Sequence, residues 1–146
     1  MKINKIFNNE TIRTIWDKEE GKYYISIVDI VVVISESDRP RKYWSDLKSK
    51  LKQEGNEVSE KIGQLKLKSQ DGKYYNTDVT DIEGMFRIIE SIPSKNAEPV
   101  KLWLVKLGKE RIDEVKEIEK IYLKVEKLEV FGIVKKKTII LGLLML

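Results

Sequence analysis

The stretch DRPRKYWSDLKSKLKQEG, from Asp38 to Gly55, constrains this chain more than any other. Proline suits the first turn of a helix, where its missing N–H would be unpaired anyway, and glycine takes the left-handed angle at which helices end. Pro40 and Gly55 therefore bracket a helix from about Pro40 to Glu54, with Ser37 or Asp38 available to cap it. At about 100° per residue, Tyr43, Trp44, Leu47 and Leu51 gather on one side of that helix. Lys42, Ser45, Ser49 and Lys52 fall on the other, with Arg41 and Lys48 flanking. Between Arg39 and Lys52 the segment holds two arginines and four lysines against one acid, Asp46.

A chain of 146 residues is long enough for one domain with a real core, or for a domain of roughly 110 residues plus an appendage. Formal net charge is only +4 although 36% of residues are charged, so the basicity is local and balanced elsewhere. A basic patch on a nearly neutral protein points to an anionic partner on one face, most often nucleic acid; a solvated lysine-rich surface is the plainer explanation. Cysteine and histidine are both absent, which removes disulfides, the usual zinc ligand sets, thiol nucleophiles and the commonest general base.

Either side of the basic helix, β-branched and aromatic runs alternate with turn residues. TIRTIW, DKEEGK and YYI, between Glu10 and Ile25, read as a hairpin. SIVDIVVVISES has strand propensity, but Ser26 followed by Asp29 resembles a capping arrangement, and Val28, Ile30, Val31 and Ile34 form an apolar helical face. A short buried helix is expected there, in helix–turn–helix-like order with the basic one. QLKLKSQDGKYYNTDV reads as a second hairpin turning at Asp71-Gly72, with Leu65 and Leu67 on one face and Lys66 and Lys68 on the other. Thr80 with Glu83 makes a capping box for a helix through Met85, Phe86, Ile88, Ile89 and Ile92. Val100, Trp103, Leu104 and Leu107 space as a buried helical face, and Ile118, Ile121, Val125 and Leu128 mark a long amphipathic helix. The ending TIILGLLML is far shorter than the roughly 20 residues needed to cross a bilayer. The opening MKINKIFNNETIRTIW has no apolar core of signal-peptide length, so a cytoplasmic protein is expected.

Taken together, IRTIWDKEEGKYYISIVDIV, RPRKYWSDLKSKLKQEG and QLKLKSQDGKYYNTDVTDIEGMFRIIESIPSKNAEPVKLWLVKLGKERIDE resemble the Bro-N domain of phage antirepressors, viral BRO proteins and the DNA-damage-inducible protein D group. The resemblance extends from about Ile12 to Glu114 and is carried by the combination of YWSDLK, TDV, IPS and KLWL. It implies an α+β domain regarded as DNA-binding, usually joined to a variable second domain that carries the regulatory activity. It defines no catalytic residues. After Glu114 the chain departs from longer members and ends in the aliphatic tail, either a short variant or the remnant of a reading-frame change.

The expected architecture is thus an α+β domain over residues 1–114, with two hairpins and several short helices, followed by a helical, apolar tail over 115–146. The expected function is DNA binding in transcriptional control of a phage, prophage or mobile element, with a DNA-damage association implied by the resemblance. Arg41, Lys42, Lys48 and Lys52 would neutralise phosphates, and Ser45 and Ser49 would allow close approach. Arg39 and Arg41 are the candidates for reading guanine, because a planar fork bonds both of its acceptors. Lys66, Lys68 and Lys73 form either a phosphate-binding wing or the solvent side of a sheet. Trp16, Trp44 and Trp103 lie in apolar periodic patterns and are expected in the core. Turn and capping roles account for Asp71, Asp78, Asp81 and Glu83, so no metal, cofactor or enzymatic activity is expected. The alternative is an interaction module that inactivates a repressor or other DNA-associated protein without touching DNA, its apolar tail serving that partner or self-association.

Overall fold

Two asparagines start the fold. In the computed structural model, which describes residues 4–55 and 57–130 except for the side chains of 113–115 and 125–130, Asn8 and Asn9 adopt φ of 48° and 66°. Asparagine tolerates this left-handed region, and two such residues in succession make the turn that matches strand twist. They join β1 (Lys5–Phe7) to β2 (Glu10–Ile12) in an antiparallel hairpin. This hairpin adds to the two that the residue patterns predict, and its signal is the Asn-Asn pair itself.

The first predicted hairpin is formed by β3 (Thr14–Asp17) and β4 (Lys22–Ser26). The Asp17 carboxylate accepts the N–H groups of Glu19 and Glu20, and Gly21 turns the chain at φ 65°. Trp16 and Tyr23 sit opposite each other with ring centroids 5.0 Å apart, edge to face. The Val/Ile-rich run that follows is α1 (Ile27–Ser35), a helix as expected, burying Ile27, Ile30, Val31, Val33 and Ile34. Val28 is only half-buried. The expected capping arrangement is corrected. Ser26 is still in strand conformation and offers no side-chain cap, while the Asp29 carboxylate is taken by Arg13.

That arginine lies between β2 and β3. Its backbone N–H and its Nε donate to Asp29 Oδ2 at 2.9 and 2.8 Å, and Nη2 donates to Oδ1 at 2.9 Å. Nη2 also reaches Ser26 Oγ at 3.2 Å, and Nη1 reaches the carbonyl of Lys68 at 3.3 Å. A charge-assisted fork in a mostly dry place outbids a weak local cap.

After Glu36, at φ 54°, the chain turns into α2 (Pro40–Gln53), the helix bracketed by Pro40 and Gly55. Trp44, Leu47 and Leu51 are buried and Tyr43 half-buried. Its N-terminus is corrected too: Arg39 holds the cap position without a side-chain bond, and Ser37 Oγ accepts the Arg39 N–H at 3.1 Å instead. A short 3-10 helix, Glu57–Lys61, follows and buries Val58.

The second predicted hairpin is β5 (Gly63–Lys68) with β6 (Tyr74–Thr80). Of the Asp71-Gly72 pair only Gly72 has positive φ, 83°, because the loop closes through Ser69 N–H to the Lys73 carbonyl at 2.8 Å instead of through a two-residue turn. Ile25 pairs with Thr80 and Ser26 with Val79, so the two hairpins join in one antiparallel sheet of order β3-β4-β6-β5. Thr80 therefore belongs to the sheet, and the cap of α3 (Ile82–Glu90) is Asp81, whose Oδ1 accepts the Gly84 N–H at 2.8 Å. The predicted Thr80–Glu83 box is one residue out of register. Gly84 is required where the helix leaves the strand, since an added Cβ would stand 2.0 Å from Thr80 Oγ1.

Helix α4 (Ala97–Val130) contains both helical segments expected near the end of the chain. Contacts divide the chain into one unit over Met1–Val105 and another over Lys106–Leu146. In the first, Val100 and Leu104 are buried, and Trp103 meets Phe7 of β1 edge to face at 6.3 Å. In the second, Leu107 is buried and Ile118 half-buried, while Ile121 is exposed. The α+β core of the first unit is rich in isoleucine: Ile12, Ile25, Ile27, Ile30, Ile34, Ile88 and Ile89 are all buried. No described helix is long and apolar enough to cross a membrane. The ending TIILGLLML lies outside the described residues.

The side chains of Arg13 and Asp29 are 18% and 13% exposed. Asp29→Ala leaves a largely buried guanidinium unpaired, so it should cost about 2–4 kcal/mol. Urea unfolding is the check, and a midpoint equal to that of the parent would deny this pair its role.

Candidate nucleic-acid interface

One carboxylate seats the basic helix on the second hairpin. Asp78 stands opposite Gln64 in the β5–β6 ladder. Its Oδ2 accepts from Trp44 Nε1 and from Lys48 Nζ, both at 2.9 Å, and its Oδ1 accepts from Gln64 Nε2 at 3.0 Å. Burial alone would raise the pKa of this group. The donors Trp44, Lys48 and Gln64, with the Lys48 charge, outweigh burial and hold the carboxyl below its ordinary 3.8.

Two turns earlier, Arg41 lies by the hairpin loop. The Asp71 carboxyl is also depressed, first by the Tyr75 hydroxyl, then by the Lys73 N–H, and further by the Arg41 charge. Helix α2 thus runs beside β6 in the same direction, Arg41 near the loop and Lys48 at Asp78. Seven residues of helix and three of strand each advance about 10 Å, so the two elements keep step.

This placement sorts the predicted contacts. Arg39, Arg41, Lys42, Ser45, Ser49 and Lys52 are exposed. Lys42, Ser45 and Ser49 occupy the outward side, opposite Trp44, Leu47 and Leu51. Arg41, Lys48 and Lys52 share one flank within about 40° of each other, and Lys48 on that flank faces the hairpin. Lys48 differs from its neighbours in being half-buried, with its ammonium engaged by Asp78. On the hairpin, Lys66 pairs across the ladder with Asn76 and Lys68 with Tyr74, all four exposed, and Lys73 is exposed in the loop. Directly paired residues share a face, so these four side chains make one surface.

The remaining expectations divide as follows. Trp44 is buried, whereas Trp16 and Trp103 are half-buried in their aromatic pairs. Asp71 accepts within its turn, Asp81 caps α3, and Glu83 pairs with Lys61 at 3.0 Å instead of closing a capping box. Asp78 has neither a turn nor a capping role; it bridges helix and sheet. Among the described residues, no three His, Cys, Asp or Glu side chains are grouped to hold a metal ion.

Two adjoining clefts lie along the helix–hairpin seam. One, of about 740 Å³, is lined by residues that include Arg13, Arg41, Lys68, Asp71 and Tyr75. The other, of about 370 Å³, is lined by residues that include Arg13, Arg41, Gln64, Tyr75 and Asn76. Residue patterns point to Arg41 and Lys68 but not to Arg13, Tyr75 or Asn76. The pair Tyr74-Tyr75 beside the Asp-Gly loop is the one sequence signal that marks this region, since exposed tyrosines at a basic hairpin tip are not needed for a core.

A family profile described as BRO family, N-terminal domain, matches residues 11–117. Neither a curated protein nor a solved structure matches the chain.

The depressed pKa of Asp78 sets the sign of a pH effect. A carboxyl with a lowered folded-state value contributes stability that is complete above its unfolded value and is lost as pH falls through the folded one. The difference in urea midpoint between the parent and Asp78→Asn should therefore be constant from about pH 7 to 5 and close as pH drops below 3.8. A difference that persists undiminished in acid would mean that the charge of Asp78 does not hold α2 in place.

Proposed function

This chain belongs to the Bro-N family, the BRO family N-terminal domain, and from that premise we propose that it is an antirepressor-like regulator of phage or mobile-element type that docks on duplex DNA through α2. Bro-N domains are associated with DNA binding and antirepressor function in phage proteins, and the family is not an enzyme family. The observation that carries the reading is the exposed, cation-rich side of α2 lying beside an exposed basic hairpin, with a cleft along the seam. Lys42 and Lys52 neutralise phosphates, Ser45 and Ser49 keep the approach close, and Lys66, Lys68 and Lys73 extend the contact as a wing. The first turn of α2 holds no acid and no side-chain cap, so its positive end adds to Arg39 and Arg41 in attracting phosphate. Arg41, at the seam, reads a guanine edge. Lys48 contributes chiefly through Asp78, fixing the helix on the hairpin. Transcriptional control in the cytoplasm, linked to DNA damage, is the setting in which such a protein would act.

Fluorescence anisotropy with duplex DNA tests this. Affinity should fall by orders of magnitude between about 50 and 200 mM salt; affinity that ignores salt, or no binding at low salt, sinks the reading. Lys42→Ala and Lys52→Ala should each lower the salt slope by about one unit, and Lys48→Ala by less, since its charge is already paired. Arg41→Lys keeps the charge but loses the fork. On a selected site it should cost about 1–3 kcal/mol of discrimination while nonspecific affinity barely moves.

The second reading, an interaction module for a repressor or other DNA-associated protein, is favoured by exposed aliphatic residues on α4. Leu102 and Val105 are 61% and 55% exposed in the first unit, and Ile112 and Leu123 are 57% and 56% exposed in the second. We take the DNA-binding domain to end near Glu114, close to the last matched residue, 117, and the remainder to serve such a partner or a second copy of the chain. A chain truncated after Lys116 should stay folded and bind DNA while losing self-association in sedimentation. Unfolding on truncation would place the removed helix in the core.

A further inference from the structure

Among the described residues, Asn76 is the one carboxamide of the β5–β6 ladder that combines three properties. It is exposed in the ladder position opposite Lys66, and its carboxamide has no hydrogen-bond partner among the described residues. It also lines the same cleft as Arg41. Core packing does not require an asparagine here. Strand propensity argues against one, since asparagine is depleted in strands in favour of β-branched and aromatic residues.

A carboxamide presents one donor and one acceptor side by side, which is complementary to the N6 amino group and N7 of adenine in the major groove. The groove also admits a two-stranded ribbon. Its same-face neighbours are Lys66 across the ladder, Lys68 with Tyr74 toward the tip, and Gln64 with Asp78 on the other side, so groups suited to phosphate and sugar lie across from the amide and toward the tip. The two nearby acids are both engaged: Asp78 with Trp44, Lys48 and Gln64, and Asp71 with Lys73 and Tyr75. We propose that Asn76 is a base-reading residue that takes the adenine edge beside the base pair read by Arg41, so that helix and hairpin specify neighbouring positions of one site. This rests on the DNA-binding reading and adds to it a particular base.

The test uses the full-length protein. A preferred site is selected from randomised duplexes, and anisotropy then compares that site with a scrambled duplex at one salt concentration. Asn76→Ala should lower affinity for the selected site about tenfold and leave the scrambled duplex unchanged. Replacing the implicated adenine by 7-deazaadenine, which lacks the N7 acceptor, should weaken the parent similarly and weaken Asn76→Ala no further. Equal losses on both duplexes would make Asn76 a backbone contact and overturn the proposal, as would no loss on either or an undiminished 7-deazaadenine effect in the variant. In each of those outcomes the DNA-binding reading survives. Failure of the parent to bind any duplex at low salt overturns both.

Discussion

The fork between Arg13 and Asp29 is the interaction on which the rest of the first unit depends. Asp29 belongs to the first turn of α1, and Arg13 joins β2 to β3, so one ion pair fixes where the helix starts relative to both hairpins it follows. Through Nη1 the same guanidinium holds the carbonyl at the end of β5. Three segments far apart in sequence thus meet at one planar cation, whose fixed geometry leaves little freedom in their angles. An ion pair in so dry a place need not add much net stability, because desolvation offsets most of the attraction. Its effect is to make alternative arrangements costly, since any of them strands a charge.

Once α1 is placed, its contacts with α2 and the Asp78 bridge determine which side of the basic helix is free. Trp44 and Lys48 are spent on the hairpin, one through its indole N–H and the other through its ammonium. The helix is therefore held by polar bonds along the flank that faces β6 and by Leu47 and Leu51 beneath. What remains outside is a band of long cations and small serines. A helix fastened at its side can present its outward residues rigidly, which recognition of a nucleic-acid edge requires and a merely solvated helix does not.

The candidate site was partly legible in the residue order. The helical period separated buried Trp44 and Leu51 from exposed Lys42 and Ser49, and alternation separated Leu67 from Lys66 and Lys68. Neither pattern distinguished Lys48 from its neighbours. Its carboxylate partner lies 30 residues on, in a strand whose register against β5 decides that Asp78 faces Gln64. Asn76 carries no signal in the residue order for the same reason: a lone asparagine in a strand acquires meaning only when its cross-strand partners and the neighbouring helix are known.

By itself the sequence determined the features governed by short-range chemistry. Pro40 and Gly55 bounded α2, Gly21 and Gly72 turned the hairpins, and the spacing of apolar residues set which side of α2 and of β5 is buried. These depend on angles and periods that a few adjacent residues impose. Tertiary structure alone decided the joining of two hairpins through Ile25–Thr80 and Ser26–Val79, the transfer of Asp29 from a cap to Arg13, and the cap of α3 at Asp81. Each of these is a competition among several polar partners of similar strength. Local propensity leaves such competitions nearly balanced, and the long-range packing that excludes water from one partner and not another settles them.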